Sequence, residues 1–189
     1  MKNLMLLFLV FLVAGCIASA QSGTFNSGAE PDGFRGIKWG THISMVKDMI
    51  QVWEEEGRKY YERKDEGLEL GGAKLERVTY LFWQDRFFEV RISILKNYEA
   101  GQDELSNFKM LREVCFKKFG KQKKPLFGKE EYSWVGNKTW ASLVNEEPGF
   151  LRLTLGSPTL LGMKKALEDQ KLRQEDEYRR AKVREARGF

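Results

Sequence analysis

Cysteine and histidine are nearly absent from this chain, with two of one and one of the other in 189 residues. That scarcity excludes most residue-based chemistry. A histidine metal site or a Ser-His-Asp triad would have to be built around His42 alone, and His42 reads as an exposed residue in the first turn of a predicted helix. Of the cysteines, Cys16 lies in a segment expected to be lipidated or removed, which leaves Cys115 without a partner. No disulfide is therefore expected, even in an oxidising compartment. Cys115 shares a predicted helical face with Leu111 and Phe119 and reads as a buried, inert thiol; coupling it to His42 would require an exposed one. A phosphate loop, a dinucleotide fingerprint and a serine-hydrolase elbow are missing too. No metal or cofactor is expected. Carboxylates are plentiful, at Glu54 to Glu56, Asp65-Glu66 and Glu146-Glu147, but all fall at element ends or turns. A glycosidase would need two of them facing across a cleft.

A long apolar run is also lacking. Leu4 to Val13 is unbroken for ten residues, about half of the roughly 20 that a spanning helix needs. With Lys2 before it, the run fits the apolar region of a secretory signal. Two cleavage readings stand. Ala18-Ser19-Ala20 is an A-x-A site that would release a chain starting at Gln21, making residues 1–20 the signal. Val13-Ala14-Gly15-Cys16 resembles the lipobox of bacterial lipoproteins, making residues 1–15 the signal and Cys16 the lipidated first residue. Ile17, rather than Asp, after such a cysteine implies the outer membrane in a Gram-negative cell. Residues 17–33, rich in Ser, Gly, Ala and Asn, read as a flexible tether.

What is present is enough to fold. The chain is 42% hydrophobic, 13% aromatic and 31% charged, the composition of a globular domain rather than a disordered one. The net charge of +5 is mild, and nucleic acid is not expected as a partner of an exported protein. The basic residues concentrate once, in KKFGKQKKPLFGK (Lys117 to Lys129), with six lysines and no acid. Lys121, Lys123 and Lys124, with Phe127 at the loop tip, are candidate contacts for an anionic envelope surface or an acidic envelope protein. The alternative is a solvated loop whose lysines suit a helix C-terminus.

Ile43, Val46, Ile50 and Trp53 fall on one helical face, with Thr41 as N-cap and Gly57 as stop. Lys59 to Lys64 is a possible edge strand. Leu75 to Trp83 and the strand of Phe88, Val90, Ile92 and Ile94 follow, the latter alternating with polar residues as a half-buried antiparallel strand does. A second helix covers Asp103 to Phe119. Three more strands lie at Glu131 to Val135, Thr139 to Val144 and Leu151 to Leu155, with Gly136-Asn137 as a hairpin signal. The expectation is an α+β fold of two αβββ units over residues 34–157, forming one antiparallel sheet with the helices on one face. Residues 158–189 read as a charged helical tail, an interaction arm or a solvated extension, with Glu175–Arg179 as one favourable ion pair. Of the five tryptophans, most read as core, and Trp83 is a candidate binding residue on the exposed sheet face.

The run FRGIKWGTHISMV, Phe34 to Val46, resembles the opening of small exported bacterial domains in which a G-x-x-W/F-G-T/S turn caps a helix and strands follow. The helix ending at Phe119-Gly120 is similar to the second half of that pattern. The layout also resembles the BamE-like and beta-lactamase-inhibitor-like folds. Over residues 34–155 the resemblance implies an architecture and a non-enzymatic habit, and it brings no catalytic residues. The expected function is that of a non-catalytic cell-envelope protein, a lipoprotein binding another envelope component. A carboxylate-dependent periplasmic hydrolase and a secreted inhibitor or adhesin-like module are the alternatives.

Overall fold

In the computed structural model, residues 22–97, 103–123, 129–146 and 150–186 are described. They form a mixed α+β structure. Its strands are β1 (Gly23–Thr24), β2 (Gly33–Phe34), β3 (Ile37–Lys38), β4 (Met49–Glu55), β5 (Arg58–Arg63), β6 (Glu69–Leu70), β7 (Ala73–Trp83), β8 (Arg86–Ile94), β9 (Glu130–Val135), β10 (Trp140–Glu146) and β11 (Phe150–Gly156). The helices are α1 (Ser106–Phe119) and α2 (Pro158–Ala186), and a single 3-10 turn covers Ile43–Met45. The large sheet runs β1-β9-β10-β11-β8-β7-β5-β4, with β6 beside β7 and with β2-β3 as a separate ribbon. Two antiparallel meanders, β9-β10-β11 and β5-β7-β8, therefore meet where β11 pairs with β8.

Period-two alternation decides the core. Val78, Tyr80 and Phe82 on β7, Val90 and Ile92 on β8, Leu153 and Leu155 on β11 and Trp134 on β9 join one buried cluster with Phe108, Leu111, Cys115 and Phe119 of α1. Those four residues of α1 recur at spacings of three and four, so one stripe of the helix enters the sheet. The opposite face of the sheet is more polar. Register places Arg58, Tyr60, Leu81, Glu89, Arg91 and Thr154 on it. Leu81 and Phe88 are nonetheless 0% and 3% exposed and lie outside the main cluster. This is the side on which α2 starts: Ser157 N–H donates to the Phe88 carbonyl at 2.8 Å, and Leu167 shares a cavity with Trp83.

Several expectations change. The helix expected from Ile43 to Trp53 is absent; a 3-10 turn and strand β4 take its place. Asp48 is the reason the helix cannot run through, with φ at 62° and its carbonyl accepting from Lys64 N–H at 2.7 Å. Ile43, Val46 and Met49 do pack on the core, but Ile50 and Trp53 are 54% and 62% exposed. Gly57 ends no helix. Glu56 and Gly57, at φ 50° and 71°, form the two-residue turn between β4 and β5, whose positive φ values match the twist of a hairpin. The first expected unit thus has its three strands but no helix, and the helix-on-one-face layer consists of α1 alone. β5 is an interior strand between β4 and β7, not an edge. From residue 22 onward the expected tether is built into the domain: β1 pairs with β9, and the Glu30 carboxylate accepts from Thr139 N–H at 2.8 Å.

The charged tail is one helix of 29 residues, roughly 44 Å long at 1.5 Å per residue. Pro158, Leu160, Lys164, Leu167 and Glu168 are its buried or half-buried positions, and everything from Asp169 to Glu185 is exposed. The expected Glu175–Arg179 pair is present at 3.9 Å. Among the described residues no helix is long and apolar enough to cross a membrane.

Candidate functional site

The sequence pointed to two regions, and they lie on different parts of the fold. Trp83 closes β7, where Gln84 and Asp85, at φ 49° and 59°, turn the chain into β8. It is half-buried rather than displayed on an open sheet face, because the start of α2 lies alongside. Trp83, Leu167 and Lys171 line a cavity of about 320 Å³ together with Glu54, Lys59 and Asp85. Two of its charged groups are matched to each other: Lys59 Nζ donates to Asp85 at 2.8 Å. That hydrogen bond, more than any other cause, holds the Asp85 carboxyl below its ordinary range and raises the Lys59 ammonium.

The basic region is built differently. α1 ends at Phe119, and Gly120, at φ 124°, redirects the chain. Its N–H donates back to the Phe116 carbonyl at 3.1 Å, and its own carbonyl accepts from Trp134 Nε1 at 2.9 Å. Gln122 then pins the segment to β9, bonding the backbone of Ser133 through both its amide oxygen and its amide nitrogen. Lys121 and Lys123 on either side are left exposed. Lys117 and Lys118, exposed in the last turn of α1, extend the patch. None of these four lysines forms an ion pair among the described residues, whereas Lys59, Lys96, Lys109, Lys129 and Lys164 all do. Lys124 and Phe127 lie outside the described residues, as does Cys16.

Two features of this region were not read from the sequence. The outward side of α1 carries an apolar groove of about 530 Å³, with Met110 and Val114 as its carbon surface and Ser106, Lys109, Glu113 and Lys117 around them. Met110 is 43% exposed, although the inner stripe of the same helix already satisfies the core. The Gly71-Gly72 turn sits against this groove, and a β-carbon on Gly71 would lie 2.6 Å from Val114. The second feature is where the chain enters the fold. β1 lies beside β9; the Phe25 ring stands edge-on to Phe119 at 5.2 Å, and Asn26 N–H donates to the Phe119 carbonyl at 2.7 Å. The entry point is therefore the C-terminal end of α1, next to the lysines.

The remaining candidates have structural roles. His42 is exposed and caps the 3-10 turn, its Nδ1 accepting from Ser44 N–H at 3.3 Å. Cys115 is 2% exposed, and burial pushes its thiol up to about 12. Of the tryptophans only Trp134 is fully buried; Trp53 is exposed and Trp39, Trp83 and Trp140 are half-buried. Trp39 explains the G-x-x-W-G-T run: it stacks on Phe87 at 4.8 Å and donates to Thr139 Oγ1 at 2.7 Å, locking a turn onto β8 rather than capping a helix. No group of His, Cys, Asp and Glu side chains able to hold a metal occurs among the described residues. Comparison with protein families, curated proteins and solved structures gives no match.

Proposed function

We propose that this is a non-catalytic cell-envelope protein, exported by its N-terminal segment, lipidated at Cys16 and held at the outer membrane, where its domain binds another envelope component. The observation that carries this reading is the cluster of Lys117, Lys118, Lys121 and Lys123, four exposed cations without ion-pair partners among the described residues. Lys59, Lys96, Lys109, Lys129 and Lys164 are matched by carboxylates, whereas these four unmatched cations lie together around one rigidly pinned segment, an arrangement suited to an anionic partner. The architecture is compatible with the resemblance to BamE-like and beta-lactamase-inhibitor-like domains in its second half, where α1, β9, β10 and β11 follow in that order. The first half keeps the strands of an αβββ unit and has β4 where the helix would stand.

The hydrolase reading is weaker on this geometry. A carboxylic general acid needs its proton held above the ordinary range. Asp85, Asp103 and Glu146 are instead all held below it, chiefly by hydrogen bonds from Lys59, Lys109 and Lys129 respectively.

The test is the intact mass of the mature protein from its native host, with fractionation of inner and outer membranes. The expected result is a chain starting at Cys16 with added acyl groups, in the outer-membrane fraction. A chain starting at Gln21 without lipid would overturn the anchor and leave a soluble periplasmic or secreted binding domain.

A further inference from the structure

From the same region we infer that the outer side of α1 and the lysines at its end form a membrane-docking face for anionic phospholipid. This rests on the reading of Cys16 as the lipid anchor. Three observations converge on it.

The first is charge. Lys117, Lys118, Lys121 and Lys123 are exposed and unpaired among the described residues. The two acids on the same side of the helix are engaged: Glu113 accepts from Arg112 at 3.0 Å, and Asp103 pairs with Lys109. Lys117 and Lys118 also suit the negative end of the helix, but Lys121 and Lys123 lie beyond that end, so the helix does not account for them.

The second is the groove. Met110 and Val114 form an apolar surface on the outside of α1, with Lys109 and Lys117 at its margin. An apolar strip rimmed by lysines matches the boundary between headgroups and acyl chains, with carbon entering the acyl region and ammonium groups reaching phosphates. An acidic protein would satisfy the lysines and leave the groove unexplained.

The third is reach. Ser22 lies six residue steps after Cys16, at most roughly 20 Å of extended chain. β1 follows at once, against β9 and within contact of the end of α1. An acyl group on Cys16 would therefore hold this end of the domain, and no other, at the bilayer surface.

The test uses the full chain carrying Cys16→Ser, which cannot be acylated, purified after export. Its sedimentation is measured with vesicles of phosphatidylcholine alone and of phosphatidylcholine mixed with phosphatidylglycerol. We expect binding to the anionic vesicles only. Replacing Lys117, Lys118, Lys121 and Lys123 together by Gln should weaken it by on the order of several hundred-fold, about five-fold for each lysine near an anionic surface. Met110→Asp should weaken it by at least about ten-fold, the scale of burying one apolar side chain. Near-ultraviolet circular dichroism checks that each variant is folded, and Met110→Ser replaces the aspartate if that variant is not. Equal binding to both vesicles, no binding, or undiminished binding of the lysine variant would overturn the docking face. So would capture by soluble polyglutamate as tight as by vesicles and indifferent to Met110, which would assign the lysines to an acidic polypeptide. Failure of the anchor reads out separately, as an unacylated wild-type mass; it overturns the orientation argued from reach and leaves the vesicles to decide the face.

Discussion

The two helices of this protein use their sequences in opposite ways. α1 buries Phe108, Leu111, Cys115 and Phe119 in the largest aromatic and aliphatic cluster of the molecule, and it is fixed along its length. α2 is twice as long, 29 residues against 14, and is docked only near its start. Its most buried position is a lysine, Lys164, which reaches Glu168 at 2.5 Å one turn on. The apolar side chains beyond, Leu172, Tyr178 and Val183, are all at least half exposed. The difference shows what length and charge do not supply. Helical stability in a domain comes mainly from burial of one face, and α2 offers a face for its first turns only.

The contrast is most directly broken by truncating one leucine on each helix. Leu111→Ala should cost about 3 kcal/mol of unfolding free energy, the usual scale for a fully buried leucine in a close-packed core. Leu172→Ala, at a position 61% exposed, should change stability by no more than about 0.5 kcal/mol. Urea unfolding followed by tryptophan fluorescence checks both, since Trp134 is packed on Phe116 and Phe119 of α1. Similar losses at the two sites would mean that α2 is held along its length by contacts of its outer half.

A second measurement uses the alkaline limb of stability. Burial raises the Cys115 thiol to about 12 in the folded protein, whereas an unfolded cysteine titrates near 8.5. The unfolded chain therefore releases this proton first as pH rises, so folding is progressively disfavoured between about pH 8.5 and 12, by at most about 1.4 kcal/mol per pH unit. Tyr132, raised to about 12 first by burial and then by its bond to Glu130, adds a drop of the same sign above pH 10. Denaturation midpoints at pH 8 and above pH 10 should diverge more in the wild type than in Cys115→Ala. The native thiol should also resist iodoacetamide until the domain unfolds. A Cys115 that reacts freely in the folded state would show that α1 frays where it meets the sheet.

How much of this was legible depends on whether one period or two fitted the residues. β8 was plain as a strand, because Val90, Ile92 and Ile94 alternate with polar neighbours, although Phe88, read on the same face, lies outside the core cluster and Phe87 takes its place where the register shifts. α1 was plain, because its stripe has one consistent period. Ile43, Val46, Ile50 and Trp53 also had helical spacing, and there the inference failed. The spacing was shared by two short pieces joined at Asp48, whose positive φ no periodicity reveals. A signal was available in Glu54-Glu55-Glu56-Gly57: three carboxylates at a helix's negative end are unfavourable, while an acid-glycine pair between apolar runs suits a two-residue hairpin. At the candidate site the lysines were visible in the sequence. The groove of Met110 and Val114 was not, because a helix's outward apolar residues look the same as core residues until the inward stripe is known. The position of β1 beside α1 was hidden as well, since the pairing partner of Gly23-Thr24 lies more than a hundred residues away at Trp134 and Val135.

The smallest expected effect lies in the outer half of α2. From Asp169 to Glu185 every residue is exposed, and the one ion pair seen there, Glu175 with Arg179 at 3.9 Å, is of a kind that contributes about 0.2–0.5 kcal/mol. Ending the chain after Arg173 keeps Leu167 and Lys171, the last residues of the helix that line the cavity with Trp83. Its urea midpoint should match that of the full chain to within about 0.5 kcal/mol, and helical circular dichroism should fall by the length removed. A larger loss of stability would mean that the projecting segment is held against the domain or against a second molecule in solution. Sedimentation velocity separates these, because only the second depends on concentration.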